Sequence, residues 1–143
     1  MKEIFKGTLE RLDQSKLISF IDRDRGQIDK YDVKPPVKFP CALIKVNLIK
    51  RTTLNEMMQR IECSVIIRVA YGILIEQSNL TTSQRLEKAL GYYDTTEEIE
   101  RLFQGLNLGK TDPWECVSTI DEDRNDLNVV RFEFRTGYVK MFD

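Results

Sequence analysis

The chain has 143 residues, of which 41% are hydrophobic and 31% are charged, and its formal net charge at pH 7 is −1. This length suits a single domain, residues 1–143, that buries about two thirds of the surface its unfolded chain exposes. A net charge so close to zero provides no long-range attraction for polyanions, so nucleic acid is not expected as a main partner.

The first half of the chain predicts a helix, a connector and a hairpin. Phe5, Leu9 and Leu12 lie near one face of a short helix over residues 3–14. Residues 17–21 are too short an apolar patch to classify. Charges and a glycine at 22–26 predict a solvated turn, and the polar, proline-containing residues 27–38 predict an extended connector.

Two apolar segments follow, and each predicts a strand. Residues 41–49 are largely apolar, which indicates a strand buried on more than one side. Residues 61–71 alternate apolar and polar side chains over an unusual length, which indicates one long, half-buried strand. The polar residues 50–60 between them would then be the long, mobile tip of a hairpin.

Two helices are predicted next, because two start signals have the form of a capping box. These signals are TTSQ at 81–84 and TTEE at 95–98, in which the first threonine and the last residue could satisfy free backbone amides. Gly91 weakens the first helix near its end, and Gly109 is a plausible stop for the second.

The last segments predict a second hairpin. Residues 114–120 alternate as a strand, residues 121–126 form a charged turn, and residues 129–140 form a long strand. The expected fold class is therefore α+β, with an antiparallel or mixed sheet built from two hairpins and packed against a helix pair and a short N-terminal helix.

The residue types disfavour an enzyme. The chain contains no histidine, which removes the commonest general base and metal ligand. Asp121, Asp123 and Asn125 have the first spacings of a calcium loop, but Asp126 and Phe132 replace the required glycine and glutamate, so a solvated turn is favoured. We expect no catalytic residue, no cofactor and no metal site.

Other features point to an ordinary cytoplasmic domain. Cys41, Cys63 and Cys116 are odd in number and far apart, which favours small buried side chains over disulfides or a zinc site. No apolar run is long enough to span a membrane, and residues 1–13 are charged and lack a secretory apolar region. We therefore expect no membrane partner.

Charges on the outward faces of the two long strands suggest pairing between strands. They are Arg68 on the first strand and Arg131, Glu133 and Arg135 on the second. Such charges can pair across strands within one subunit or between subunits, and the sequence leaves both possibilities open.

The order of elements, together with two segments, resembles small phage and prophage tail proteins. The segments are DRGQID at 24–29 and FPCALI at 39–44. The resemblance is to the tail terminator family, also called tail completion or minor tail proteins. It implies a mixed α/β subunit that forms a ring, expected to be hexameric, at the end of the tail tube. That ring stops tube growth and offers a face to the head-side connector.

This resemblance and the charge pattern define the expected sites and partners. We assign Arg68, Arg131, Glu133 and Arg135 to subunit pairing, since a ring needs one patch to meet a different patch of the next copy. Contacts with the tube or connector are assigned to the loops 50–60 and 121–126, through Arg51, Arg60, Asp121, Asp123 and Asp126. The expected partners are other copies of the chain, a tail tube protein and a head-tail connector protein. The expected locations are the bacterial cytoplasm during assembly and the virion tail.

Two alternatives stay open. One is another virion adaptor, in the neck or baseplate, which only its partner protein would distinguish. The other is a small enzyme or ligand-binding domain that uses the carboxylates at 121–126, which requires a concave pocket with perturbed carboxylates.

Overall fold

Two helices and five strands make up the fold in a computed structural model that describes all residues, 1–143. In chain order they are α1 (Lys2–Ser15), β1 (Phe20–Arg23), β2 (Cys41–Asn55), β3 (Met58–Ile73), α2 (Ser83–Phe103), β4 (Glu115–Asp121) and β5 (Leu127–Met141). The strands form one sheet in the order β1-β2-β3-β5-β4. β1 is parallel to β2 and all other neighbours are antiparallel, so the predicted α+β class with a mixed sheet is confirmed.

The main hydrophobic core lies between the helices and one face of the sheet. The alternation predicted for β3 and β5 decides which side chains enter it, because successive side chains of a strand point to opposite faces. Its fully buried members include Ile61, Val65 and Ile67 of β3, Phe132 and Phe134 of β5, Leu12 of α1, and Ile99 and Phe103 of α2. Both helices therefore cover the same face of the sheet.

A smaller core occupies one end of the opposite face. There the connector after β1 folds back, so that Ile28 packs on Cys41 and Leu43 of β2 and on Val129 of β5. The first four residues of β2 are consequently buried on both faces, whereas residues 45–49 are half-buried or exposed, so the predicted two-sided burial holds only for the start of the 41–49 run. Cys41 and Cys63 are free and buried, and Cys116 is half-buried.

The long hairpin tip predicted for residues 50–60 is wrong. β2 continues to Asn55 and β3 begins at Met58, so the turn contains only Glu56 and Met57. The polar residues can extend as strands because β5 supports β3 over the same length, with Met58 opposite Met141. The pairing partner comes from the far end of the chain, which a local pattern cannot reveal.

The predicted helix pair is a single helix, α2. Thr95 and Thr96 lie inside it, and the Thr96 hydroxyl donates a hydrogen bond to the Tyr92 carbonyl at 2.8 Å instead of capping a new helix. Thr82 is the N-cap residue and its side chain makes no capping hydrogen bond, so the capping box predicted to start at Thr81 is wrong. The helix ends at Phe103, before Gly105 and Gly109. Buried side chains on both sides of the threonines hold one axis against the sheet.

Residues 17–26 also differ from the prediction. Phe20–Arg23 form β1, which pairs in parallel with Cys41–Ile44, so the predicted turn begins only at Asp24. β1 has only four residues and its parallel partner lies far along the chain, so the local sequence contains little signal for this strand. Neither helix is long and apolar enough to cross a membrane.

The continuity of α2 can be tested at Gly91. A Cβ at this position would meet no atom within 4 Å, so Gly91→Ala should stabilise the protein by about 0.5–1 kcal/mol through helix propensity. Gly105 is equally open but has a φ of +76°, so Gly105→Ala should destabilise it. Urea unfolding monitored by circular dichroism measures both. A helix broken at Gly91 would instead make Gly91→Ala destabilising.

Candidate assembly surfaces

A partly buried network of ion pairs lies on the outer face of the sheet, beside the smaller core, and Arg68 is at its centre. The Arg68 side chain is only 12% exposed. Its guanidinium donates two hydrogen bonds to Asp29, at 2.7 and 2.9 Å, and two to Glu122, at 2.8 and 2.9 Å. Asp24 lies 3.4 Å away. Bidentate pairs of this kind fix geometry as well as charge.

A second arginine extends this network to the turn between β4 and β5. Arg124 donates hydrogen bonds to Asp29 and to Asp126, each at 2.9 Å. The Tyr31 hydroxyl donates to the other oxygen of Asp126 at 2.6 Å. The network therefore ties together three segments that are distant in sequence: the connector, the middle of β3 and the turn at 122–126.

The electrostatics keep these groups ionised. Hydrogen bonds from Arg68 lower the pKa of Asp29 to about 2, and Arg124 holds the pKa of Asp126 well below its usual range. The same carboxylates raise the pKa of both guanidinium groups. Groups with such pKa values hold fixed charges near neutral pH, whereas a general acid or base needs a pKa close to the working pH.

The other residues assigned from the sequence lie outside this network, and two of them, Arg60 and Arg135, line one pocket with Asp112. Arg60 pairs with Asp112 in the loop before β4, and Arg135 pairs with Glu133 at 3.0 Å on the same strand. Glu133 also accepts a hydrogen bond from the Ser64 hydroxyl at 3.2 Å. Arg68, Arg60 and Arg135 thus have carboxylate partners within the chain.

The remaining assigned residues differ in their surroundings. Arg51 is exposed and Arg131 is half-buried, and no carboxylate lies within 4.0 Å of either guanidinium. Asp121 accepts a hydrogen bond from the Tyr92 hydroxyl at 3.1 Å, and Asp123 is exposed. Of the assigned contact residues in the 121–126 turn, Asp126 lies within the network and the other two reach the surface.

Sequence reasoning missed most of the network. Its missed members are Asp24, Asp29, Tyr31, Glu122 and Arg124. The acidic and basic residues of DRGQID and of 121–126 were the available signal, but only the tertiary fold shows that these segments meet at Arg68.

The hairpin of β2 and β3 ends in an exposed apolar surface, which we call the arm tip. It comprises residues 54–58 and 139–142. The Phe142 amide donates a hydrogen bond to the Met57 carbonyl at 2.7 Å, which holds the end of the chain against the turn. Its exposed apolar side chains are Leu54, Met57, Val139, Met141 and Phe142. An apolar patch at a protruding end is typical of a protein contact site.

Several concave regions lie elsewhere on the surface. A groove of about 920 Å³ runs between α1 and β2, and its lining includes Phe5 and Val46 together with Lys2, Lys6 and Lys45. A depression beside the 121–126 turn is lined only by residues 123–126 and has no apolar wall. No group of three or more His, Cys, Asp or Glu side chains could hold a metal ion.

Removing Arg68 should lower the free energy of unfolding substantially. Arg68→Met leaves Glu122 without its main partner and Asp29 with only Arg124, so the free energy of unfolding should fall by about 2 kcal/mol. Arg135→Met is the matched control on the same sheet face: its side chain is 47% exposed, and the loss should be under about 1 kcal/mol. Urea unfolding at pH 7 measures both. Equal losses would show that the network does not support the fold.

The network should also make the stability of the fold depend on pH in the acidic range. The pKa of Asp29 is lowered from 3.8 to about 2 on folding, so its contribution is fully present above the unfolded value and is lost as the pH falls toward 2. Asp29→Asn should therefore lower the urea midpoint at pH 7 and approach wild type near pH 2. Asp32→Asn, at an exposed carboxyl in the same connector, is the control. A midpoint difference for Asp29→Asn that is the same at every pH would contradict the assigned ion pairs.

Comparison with known proteins adds no family assignment. Neither the protein-family models nor the curated proteins include a match to this chain. Its function must therefore be inferred from the surfaces described above.

Proposed function

We propose that this chain is a structural protein of a phage or prophage tail. In this proposal it is a tail terminator that forms a homo-oligomeric ring, expected to be hexameric, on the last ring of the tail tube. The ring stops tube growth and joins the tube to the head-side connector. The observation that carries the proposal is the arm tip, an exposed apolar surface held on a rigid extension of the sheet.

The β2–β3 hairpin and the end of β5 extend beyond the part of the sheet that the helices cover. From Ile49 to Asn55 every residue of β2 is exposed, so the helices do not cover this part of the sheet. Three strands nevertheless remain paired there, with Gln59 opposite Thr53 on one side and Lys140 on the other. Stiff presentation of apolar side chains lowers the ordering entropy lost when a partner binds. We assign the arm tip to contact with the tube or the connector.

A second exposed apolar surface lies at the opposite end of β3, which gives the subunit two ends for two partners. Ile73 ends β3 and Leu74 follows it, and Leu90 and Tyr93 are exposed on the first half of α2. The Tyr93 hydroxyl donates a hydrogen bond to Gln77 at 3.2 Å, which connects helix and loop. An adaptor between a tube and a connector needs two such contact surfaces.

The charge balance supports close packing of copies. A net charge of −1 per chain produces little repulsion among the subunits of a ring. The network around Arg68 pairs its carboxylates within the chain, so these carboxylates add little repulsion between copies. In this proposal the ring assembles in the bacterial cytoplasm and ends up in the virion tail.

Disruption of the gene in the phage or prophage that carries it tests the termination role. Without a terminator nothing stops tube growth, so electron microscopy of the lysate should show headless tails of irregular, excessive length. The wild-type gene supplied in trans should restore tails of uniform length joined to heads.

Two variants supplied in trans sharpen this test. Leu54→Asp/Met57→Asp removes the apolar character of the arm tip and should fail to restore tails, although such surface changes alter stability by only about 0.5 kcal/mol. Val33→Asp, at an exposed apolar residue of the connector, should restore them. Normal tails after disruption of the gene would contradict the proposed function.

A further inference from the structure

The sheet has an open edge along β2. β1 pairs only with Cys41–Ile44, and it is the last strand on that side. Residues 45–53 of β2 therefore have β3 on one side and no strand on the other; we call this stretch the β2 free edge. Unpaired backbone donors and acceptors along a strand form a template for another strand.

A second open edge lies at the other end of the sheet. β4 pairs with β5 on one side and has no strand on its other side. The Gln104 side-chain oxygen accepts a hydrogen bond from the Cys116 amide at 2.8 Å, so the first part of this edge is covered. Residues 117–121 remain open and form the β4 free edge.

The two edges are complementary in charge and similar in apolar exposure. The β2 free edge carries the exposed cations Lys45, Lys50 and Arg51 and no acidic residue. The β4 free edge carries the exposed anion Asp121 and no basic residue, and the exposed Glu115 lies just before it on β4, opposite Arg135. Apolar side chains are exposed at both, at Ile49 on one edge and at Val117 and Ile120 on the other. Like charges along two edges would keep them apart, whereas these opposite charges favour their approach.

The flanking helices extend this complementarity. α1 packs over β1 and β2, and α2 packs over β4 and β5, on the same face of the sheet. The groove between α1 and β2 is lined by Lys2, Lys6 and Arg23 with one carboxylate, Asp24. Beside β4, α2 places Glu97 and Glu100 with one cation, Arg101. If the sheets of two copies were joined edge to edge, the basic groove of one would lie next to the acidic helix surface of the other.

The strand directions also permit the joint. β2, β3, β5 and β4 alternate in direction, so β4 is antiparallel to β2. A copy rotated about an axis along the strands would add its β2 antiparallel to β4, which is the commoner pairing in sheets. Because the two edges are different surfaces, the contact is head-to-tail and can close into a ring.

From these observations we propose that the β2 free edge of one subunit pairs with the β4 free edge of a second copy of this chain. The inference rests on the proposed function, because it supplies the subunit contact of the ring. The occupant is a second copy, since the same chain carries both the basic edge and its acidic counterpart.

Paired charge reversals test this contact, with the mass of the assembly measured by light scattering after size-exclusion chromatography. Lys50→Glu/Arg51→Glu reverses the β2 side. Glu97→Lys/Glu115→Lys reverses two anions that flank the β4 free edge, one on α2 and one at the start of β4, and spares Asp121, which accepts the Tyr92 hydroxyl hydrogen bond. Lys34→Glu/Lys38→Glu makes the same charge change as the β2 reversal in the exposed connector. Urea unfolding establishes that each variant is folded.

The wild type and the connector control should form the same oligomer. Each reversed variant alone should associate at least about tenfold more weakly, because like charges then face each other. An equimolar mixture of the two reversed variants should recover the wild-type mass, since every contact in it again joins opposite charges.

Three outcomes would overturn the inference, and they differ in what they mean for the proposed function. A wild-type oligomer that neither reversal weakens would leave the ring intact and assign its contacts to other surfaces. Weakening by each reversal without recovery in the mixture would show that the two edges do not contact each other. A wild-type monomer at all concentrations would contradict both the edge contact and the self-assembled ring.

Discussion

The pairing of β3 with β5 is the constraint on which the rest of the structure depends. It runs without interruption from Met58 opposite Met141 to Ala70 opposite Val129, and after one bulge it continues to Leu127. This single register places alternate side chains of both strands in the main core and directs the others to the outer face. It also carries the polar end of the β2–β3 hairpin far beyond the helices, and so creates the arm tip.

The same register places two positive charges next to each other on the outer face, and carboxylates from two loops neutralise one of them. Arg68 and Arg131 are directly opposite each other on β3 and β5, and like charges in such positions repel. Asp24, Asp29 and Glu122 surround Arg68 from two loops, so the excess positive charge is neutralised where it is least hydrated. The connector after β1 is thereby held over the smaller core by ion pairs as well as by Ile28. Loops that appear solvated in the sequence are thus part of the folded framework.

The uncovered surfaces have a consistent arrangement relative to this framework. Apolar surfaces lie at the two ends of the long strands, and open strand edges lie at the two sides of the sheet. The strand ends are suited to different partners above and below, and the sides to identical neighbours. A subunit of a ring stacked between a tube and a connector requires contacts in these two directions, which is why the tail terminator proposal and the edge contact fit one architecture.

Sequence alone determined the elements whose signal is local. The alternation in β3 and β5, the apolar start of β2 and the helical spacing in α1 predicted these elements, because burial on one face imposes a period of two or 3.6 residues on the chain. The α+β class and the hairpin of β4 and β5 followed from their order. This local periodicity did not show which charged residues pair with each other.

Tertiary structure decided everything that depends on a distant partner. Residues 50–55 and 58–60 became strand because β5 lies beside β3. α2 remained one helix through Thr95 because the sheet holds both of its halves. β1 formed only because β2 accepted it in parallel. Arg68, an expected surface residue, became the centre of a network because two loops bring carboxylates to it. Local signals such as capping boxes, polarity and charge indicate which secondary structures a segment can adopt. Pairing with distant segments determines which of them it does adopt.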